Sequence, residues 1–249
     1  MVETLVRFFK IIDLLENSSE LRLKDIADKL NIDKSTIHRF MKTLLKYNFV
    51  RINPSNKKYG LGLKFLNTAT KIIDSIDIRN IAHPHLIELE RYTNETIHLT
   101  TFDGKRVVYI DKIESNKPII MYSRIGNVAP INCTAAGKAI LAFQTSDVIN
   151  SIIDRLDFIP LTKNTITDKD KFIKALEDIR KKGFAIDNSE HEENICCIAA
   201  PIRDYSRRVR YAVSISAIET RMNLSKLLTF KDILIEKANI ISKELGYIE

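Results

Sequence analysis

No apolar run in the 249-residue chain approaches the ~20 residues that a helix needs to cross a bilayer. The opening residues, MVETLVRFFK, lack the uninterrupted apolar core of a signal peptide, so the expected location is cytoplasmic and no membrane partner is expected. Cysteine is scarce. Cys133, Cys196 and Cys197 make no disulfide framework, and adjacent cysteines rarely bridge each other. No C-x-x-C pair and no His/Cys set has zinc spacing, which leaves no metal site and no expected cofactor. A Gly-rich phosphate loop and an HExxH motif are both missing, so the common routes to phosphoryl transfer and metal-assisted hydrolysis are excluded. Cys196 or Cys197 with His191 could supply a nucleophile and a base, but residues so close on one extended chain seldom reach the geometry. No catalytic residue is assigned and an enzyme is not expected.

What remains is a globular chain, 45% hydrophobic and 29% charged, long enough for a small domain and a medium one. Its charge is unevenly spread. Residues 1–75 hold 14 Lys+Arg against 8 Asp+Glu, a balance of +6, and the rest holds 25 against 24. That asymmetry gives the N-terminal third an anionic partner, nucleic acid before membrane.

The stretch Asp33 to Asn48, DKSTIHRFMKTLLKYN, spaces Ile37, Phe40, Met41, Leu44 and Leu45 as one helical stripe. Lys34, Ser35, Thr36, His38, Arg39, Lys42 and Lys46 occupy the first turn and the other side, and Asp33 suits an N-cap. Upstream, residues 3–16 place Leu5, Phe8, Phe9, Ile12 and Leu15 on one face, and Lys24–Leu30 makes a short helix with Ile26, Ala27 and Leu30 inward. Asn31-Ile32-Asp33 is a tight turn between two short helices, the spacing of a helix-turn-helix. Phe49, Val50 and Ile52 then pair with Tyr59 and Leu61 across a Pro-Ser-Asn turn, with Lys57 and Lys58 near the tip. A basic hairpin after such a pair is the wing of a winged helix. Residues 62–79 read as a linker helix whose narrow seam, Phe65, Ala69, Ile72 and Ile76, suits pairing between subunits.

From Asn80 the composition turns neutral. Pro84 opens a helix over His85–Thr93, and Asp103-Gly104 joins strands Ile97–Phe102 and Val107–Asp111 as a hairpin. Ile119–Ser123 is a third strand. Thr134 caps a helix through Phe143, Ser146–Leu156 forms another, and Asp168–Lys182, opened by Thr167, ends at Gly183. Strands Phe184–Asp187, Ile195–Ile202 and Tyr211–Ala217 follow, with Leu224–Leu245 closing as a helix. Hairpin-linked strands with helices outside indicate an α+β domain on an antiparallel sheet. Ser214 and Ser216 share one face, as do Cys197 and Ala199, and Asp187 ends a strand before the loop Glu190–Glu193. Small and polar residues where Val and Ile are usual leave room for a ligand. The backbone N–H groups of Ala135 and Ala136, opening the Thr134 helix, suit a carboxylate. The acidic loop reads as solvated, and His191 as a surface imidazole.

The run L-x-x-I-A-x-x-L-x-I-x-K-S-T-x-H-R-F-x-x-T-L (Leu23 to Leu44), followed by Tyr59-Gly60-Leu61-Gly62, resembles the DNA-binding domain of the IclR family of bacterial transcriptional regulators. Pro130 to Ala139, PINCTAAGKA, and Gly183 to Pro201, GFAIDNSEHEENICCIAAP, are similar to two segments of that family's C-terminal domain. Asn132 stands where the family often has His, and Asn194 where it often has Gly. The resemblance implies a winged helix-turn-helix domain (1–61), a dimerising linker helix (62–79) and a GAF/PAS-like effector domain (80–249). It also implies effector contacts at Ala135, Ala136, Asp187, Cys197, Ser214 and Ser216, with an apolar pocket wall of Met121, Ala129 and Ile195. The expected function is a regulator, more often a repressor, of a catabolic operon. Its partners would be double-stranded operator DNA, read as a homodimer or dimer of dimers, and a small carboxylate effector. Lys34, Ser35, Thr36, His38, Arg39, Lys42, Lys57 and Lys58 are the DNA-binding candidates. The Asp187–Glu193 loop looks like the branch that senses sugar-acid breakdown products such as 2-keto-3-deoxygluconate, with glyoxylate and pyruvate as the simpler keto acids. An architectural DNA-binding protein without ligand control is the other non-enzymatic reading, against which the size of the neutral domain weighs.

Overall fold

The computed structural model describes residues 2–75, 77–117 and 123–248, and their side chains apart from those of residues 69, 70 and 72–75. The chain divides into two compact units, Met1–Ile76 and Asp77–Glu249. The first carries helices α1 (Glu3–Glu16), α2 (Leu23–Leu30) and α3 (Lys34–Lys46), a hairpin of β1 (Val50–Ile52) and β2 (Tyr59–Leu61), and α4 (Lys64–Ser75). Ile11, Leu15, Ile26, Ala27, Ile37, Met41, Leu44 and Val50 form its core. Asn31, in the left-handed region at φ 50°, ends α2 and turns the chain into α3. The hairpin pairs Val50 with Leu61 and Ile52 with Tyr59. Gly62 is required behind it. A Cβ there would lie 2.1 Å from the Asn48 carbonyl oxygen, where the returning chain crosses the end of α3.

The inward face of α1 differs from the expected one. Ile11 and Leu15 are buried and Phe8 packs edge-on against Phe49, whereas Leu5 and Phe9 are 54% and 58% exposed. Two neighbouring apolar stripes run along this helix, and spacing alone merges them; Phe8, Ile11, Leu14 and Leu15 join the core with α2 and α3 side chains. The expected linker helix over 62–79 is also two helices. After α4 the chain starts again at α5 (Ile78–Thr93), whose N-cap Asp77 accepts from the Arg79 N–H at 3.0 Å. Pro84 therefore lies inside α5 and does not open it. Buried Ala82, Leu86 and Leu89 flank the proline, and their packing holds the helix across the one hydrogen bond that a proline forfeits.

The second unit is built on a six-stranded antiparallel sheet of order β5-β4-β3-β8-β7-β6. Its strands are β3 (Thr96–Phe102), β4 (Val107–Ile113), β5 (Val128–Ala129), β6 (Ala185–Asn188), β7 (Ile195–Arg203) and β8 (Val209–Ile218). The two-residue β5 is too short to show as an alternation in the sequence, and the strand expected at Ile119–Ser123 falls almost wholly outside the described residues. Between β5 and β6 come α6 (Ala135–Leu141), α7 (Ser146–Ile153) and α8 (Lys169–Lys182), and after β8 come α9 (Leu224–Leu227), a 3-10 turn (Leu228–Phe230) and α10 (Lys231–Glu244). The closing helix is thus broken near its start. Asp168, whose side chain accepts from the Lys171 N–H at 2.8 Å, caps α8 in place of Thr167. Helices α5 and α10 pack together and against strands of the sheet. Helix α6 lies against β6, β7 and β8, and its apolar residues form a core with Ala185, Ala199, Val209 and Ala212.

Candidate functional site

On the first unit, α3 is set by its N-cap: Asp33 accepts from the Thr36 N–H at 3.0 Å and from the Ser35 hydroxyl. Lys34, Ser35, His38, Arg39 and Lys42 are exposed, Thr36 is half-buried, and Ile37, Met41 and Leu44 face the core. Among the described residues Lys34, Arg39 and Lys42 make no ion pair, so three cations stand open on one side of a helix. At the hairpin tip Lys57 is exposed in the left-handed region at φ 58°, and Lys58 is half-buried. The tip is held by Glu20, a residue with no motif around it. Glu20 accepts from Asn53 Nδ2 at 2.9 Å and Asn56 Nδ2 at 3.0 Å and pairs with Arg51 at 3.1 Å. These donors hold the Glu20 carboxyl below its ordinary pKa, the Asn56 hydrogen bond first among them. Nothing in the local sequence signals the role, because the partners lie on the wing and Glu20 lies before α2.

On the second unit a small cavity opens between the sheet and the start of α6. Its volume is about 40 Å³, enough for a few water-sized groups. Ala135, Ala136, Asp187, Ile195, Cys197, Ser214 and Ser216 line it, together with His98, Tyr109, Ser123, Thr134, His191 and Glu192. Strand register brings the polar set together: Asp187 pairs with Cys197, Cys197 with Ser216, and Ser214 with His98. Thr134 caps α6 by accepting from the Gly137 N–H at 3.2 Å. The N–H groups of Ala135 and Ala136 have no protein acceptor among the described residues. Gly137 lets α6 approach so closely, since a Cβ there would sit 2.4 Å from the Ile131 carbonyl oxygen.

Ala129 does not belong to this cavity. It is buried in the apolar core opposite Val107, because its short strand pairs with β4 and turns the methyl inward. Met121 lies outside the described residues. The loop Glu190–Glu193 is not wholly solvated either. Glu190 is 7% exposed and receives Lys138 Nζ at 2.5 and 2.6 Å on its two oxygens. His191 lines the cavity, half-buried.

His98 is the central residue that spacing could not single out. Its Nε2 is 2.7 Å from Ser123 Oγ, its Nδ1 3.3 Å from Ser216 Oγ, and its ring 4.9 Å from that of Tyr109. Burial, helped by the Lys112 charge, lowers its pKa to about 3, so the ring is neutral. Burial raises Asp187 to about 7 and pushes Cys133 up to about 12. It also raises Cys196 and, well above the ordinary thiol range, Cys197. Protonated thiols are poor nucleophiles, and among the described residues no cluster of three or more His, Cys, Asp or Glu could hold a metal. The groups gathered at the cavity are hydrogen-bonding hydroxyl, imidazole and carboxyl groups beside protonated thiols.

A winged helix with open cations, and a sheet domain enclosing a small polar cavity, define a DNA-binding regulator that carries a ligand-binding domain. The IclR helix-turn-helix model matches residues 4–54, and the bacterial transcriptional regulator IclR C-terminal model matches residues 70–243. The HTH-type transcriptional regulator XynR of Escherichia coli (strain K12) is 34% identical over 99% of this chain and 98% of its own length. KdgR of the same organism is 32% identical over 99% and 94%. Among solved structures, the Thermotoga maritima IclR has 36% identity and a TM-score of 0.67, covering 99% of this chain and 100% of its own. The Agrobacterium tumefaciens repressor BlcR has 26% identity and a TM-score of 0.75, covering 100% and 99%. The chain belongs to the IclR family: it is an α+β transcriptional regulator with a DNA-binding helix-turn-helix domain and a ligand-binding C-terminal domain, not an enzyme.

Proposed function

We propose that the protein represses a catabolic operon in the cytoplasm and releases it when a small carboxylate occupies the cavity beside α6. The observation that carries this reading is the composition of the cavity wall. Open backbone N–H groups of Ala135 and Ala136 face a row of hydroxyl, imidazole and carboxyl groups from four strands. Such a site offers N–H donors to an acid and side-chain partners to its oxo or hydroxyl groups. Sugar-acid breakdown products and simple keto acids have that chemistry.

On the DNA side, α3 enters the major groove, with Arg39 toward base edges and Lys34, Lys57 and Lys58 on phosphate. Ser35, Thr36, His38 and Lys42 complete the contact set. Two such heads reading a pseudo-palindrome require a dimer. The exposed Val2 just before α1, Leu5 and Phe9 on it, and Leu63 before α4 are apolar surface on this unit that pairing would cover. Linker residues 62–79 would join the subunits, and the ligand would act by favouring one arrangement of them.

A thermal-shift screen of small carboxylates, followed by gel shift on DNA upstream of the gene, tests this. A true effector at 100 times its Kd stabilises by about 2.7 kcal/mol and alters the DNA complex at the same concentrations. Stabilisation without any change in DNA binding would refute ligand control.

A further inference from the structure

The cavity beside α6 holds a carboxyl group without a cation of its own. Asp187 is 2% exposed and accepts from the Glu190 N–H at 2.7 Å. Lys138, the charge that α6 sets near it, is spent on Glu190, and the two charges cancel. Among the described residues, the other titratable groups around Asp187 bring no uncompensated positive charge: Lys112, which donates to the Ser123 carbonyl at the cavity wall, is paired with Glu114 at 2.9 Å, and burial pushes the His191 pKa down. Besides Lys112 they are His191 and Glu192 from the loop after β6, Cys196 and Cys197 from β7, Cys133 before α6, Tyr109 from β4 and neutral His98 from β3.

An ionised Asp187 therefore adds one uncompensated negative charge to a wall that already carries Glu192. A small acid bound in so confined a space would add another within a few ångströms, and two carboxylates at that separation do not both ionise. Resting on the effector-site reading above, we infer that the site binds its acid together with one proton, held between Asp187 and the ligand. The acid arrives as an anion, one proton is taken from solvent, and Asp187 changes from acceptor to donor toward a ligand oxygen. The raised pKa of the empty site, about 7, means that little further shift is needed near neutral pH. The device favours a short oxo or hydroxy acid over a neutral polyol, which has no charge to compensate.

The test is calorimetric titration of the full-length protein with pyruvate, glyoxylate and 2-keto-3-deoxygluconate from about pH 6 to pH 9, in two buffers of different ionisation heat. For the acid that binds, Kd should be nearly flat below about pH 6.5 and should rise toward tenfold per pH unit above about pH 7.5. Above about pH 7.5 the buffer difference should report uptake approaching one proton, falling toward zero below about pH 6.5. Asp187→Asn, which supplies a permanent N–H donor, should bind with a Kd independent of pH and no proton uptake. Binding by the native protein with constant Kd and no buffer difference overturns the proton linkage and leaves the effector site standing. Uptake that persists in Asp187→Asn, or loss of binding by that folded variant, overturns the role of Asp187. Absence of binding by all three acids at every pH overturns the effector-site reading and this inference together. The native titration decides the linkage even if the variant fails to fold.

Discussion

Arg39, Asp187 and Glu20 show three ways in which one side chain governs a site. Arg39 is exposed and makes no ion pair among the described residues, so its guanidinium is available to a guanine edge. Arg39→Ala should cost about 1–3 kcal/mol of specific binding and relax discrimination, whereas Lys58→Ala should weaken all sequences alike. Competition gel shifts against specific and random duplexes separate the two. Asp187 titrates in the opposite sense to a salt-bridged carboxylate. Its folded pKa lies near 7 against 3.8 for the ordinary group, so its contribution is intact below about pH 4 and lost as pH rises through 7. The native protein should lose a few kcal/mol relative to Asp187→Asn over that window, read as a narrowing and then reversal of their melting-temperature difference. Glu20→Ala should free the wing tip, lowering affinity for DNA of any sequence without changing base preference. Arg39 was legible because it sits on the open side of a periodic helix. Glu20 and His98 were not, since their roles exist only where distant strands and turns meet.

Among the elements, α3 and α6 are each fixed by one cap and one close approach. The caps, Asp33 and Thr134, could be read from the sequence because Asp and Thr before an apolar-periodic run satisfy the first free N–H groups. The close approach at α6 could not, as it depends on Ile131 passing under Gly137. Gly137→Ala should cost about 1–3 kcal/mol by overpacking. It should lower the melting temperature by roughly 2–4 °C per kcal/mol and should disturb ligand binding, because Ala135 and Ala136 would shift with the helix. The break at Asp77 and the proline inside α5 escaped the sequence reading for a related reason. Apolar spacing continues smoothly across residues 62–79 and a proline usually marks a start, but the packing of Ala82, Leu86 and Leu89 overrides both signals. Ala129 shows the limit of carrying a site residue over by resemblance: strand pairing with Val107 decides where its methyl points.

Across the whole chain, each unit has its own buried core. A fragment spanning residues 77–249 should therefore melt in a single transition and show the same ligand-induced shift as the full chain, which differential scanning calorimetry would check. Ser214→Ala with Ser216→Ala should remove that shift from both while leaving operator binding unchanged. The charge split between the units was plain from composition, and it makes the unit with the DNA-binding helix-turn-helix the basic one. One local feature acquires meaning only at this scale. The proton of the Ser35 hydroxyl is engaged by Asp33, so in a major groove Ser35 presents lone pairs alone. At a base edge it could accept from the exocyclic amine of adenine or cytosine and would meet guanine O6 or thymine O4 as repulsion. In a symmetric pair of heads the same constraint applies at two mirrored operator positions, so a single intramolecular hydrogen bond would exclude two of the four bases from each half-site at that step.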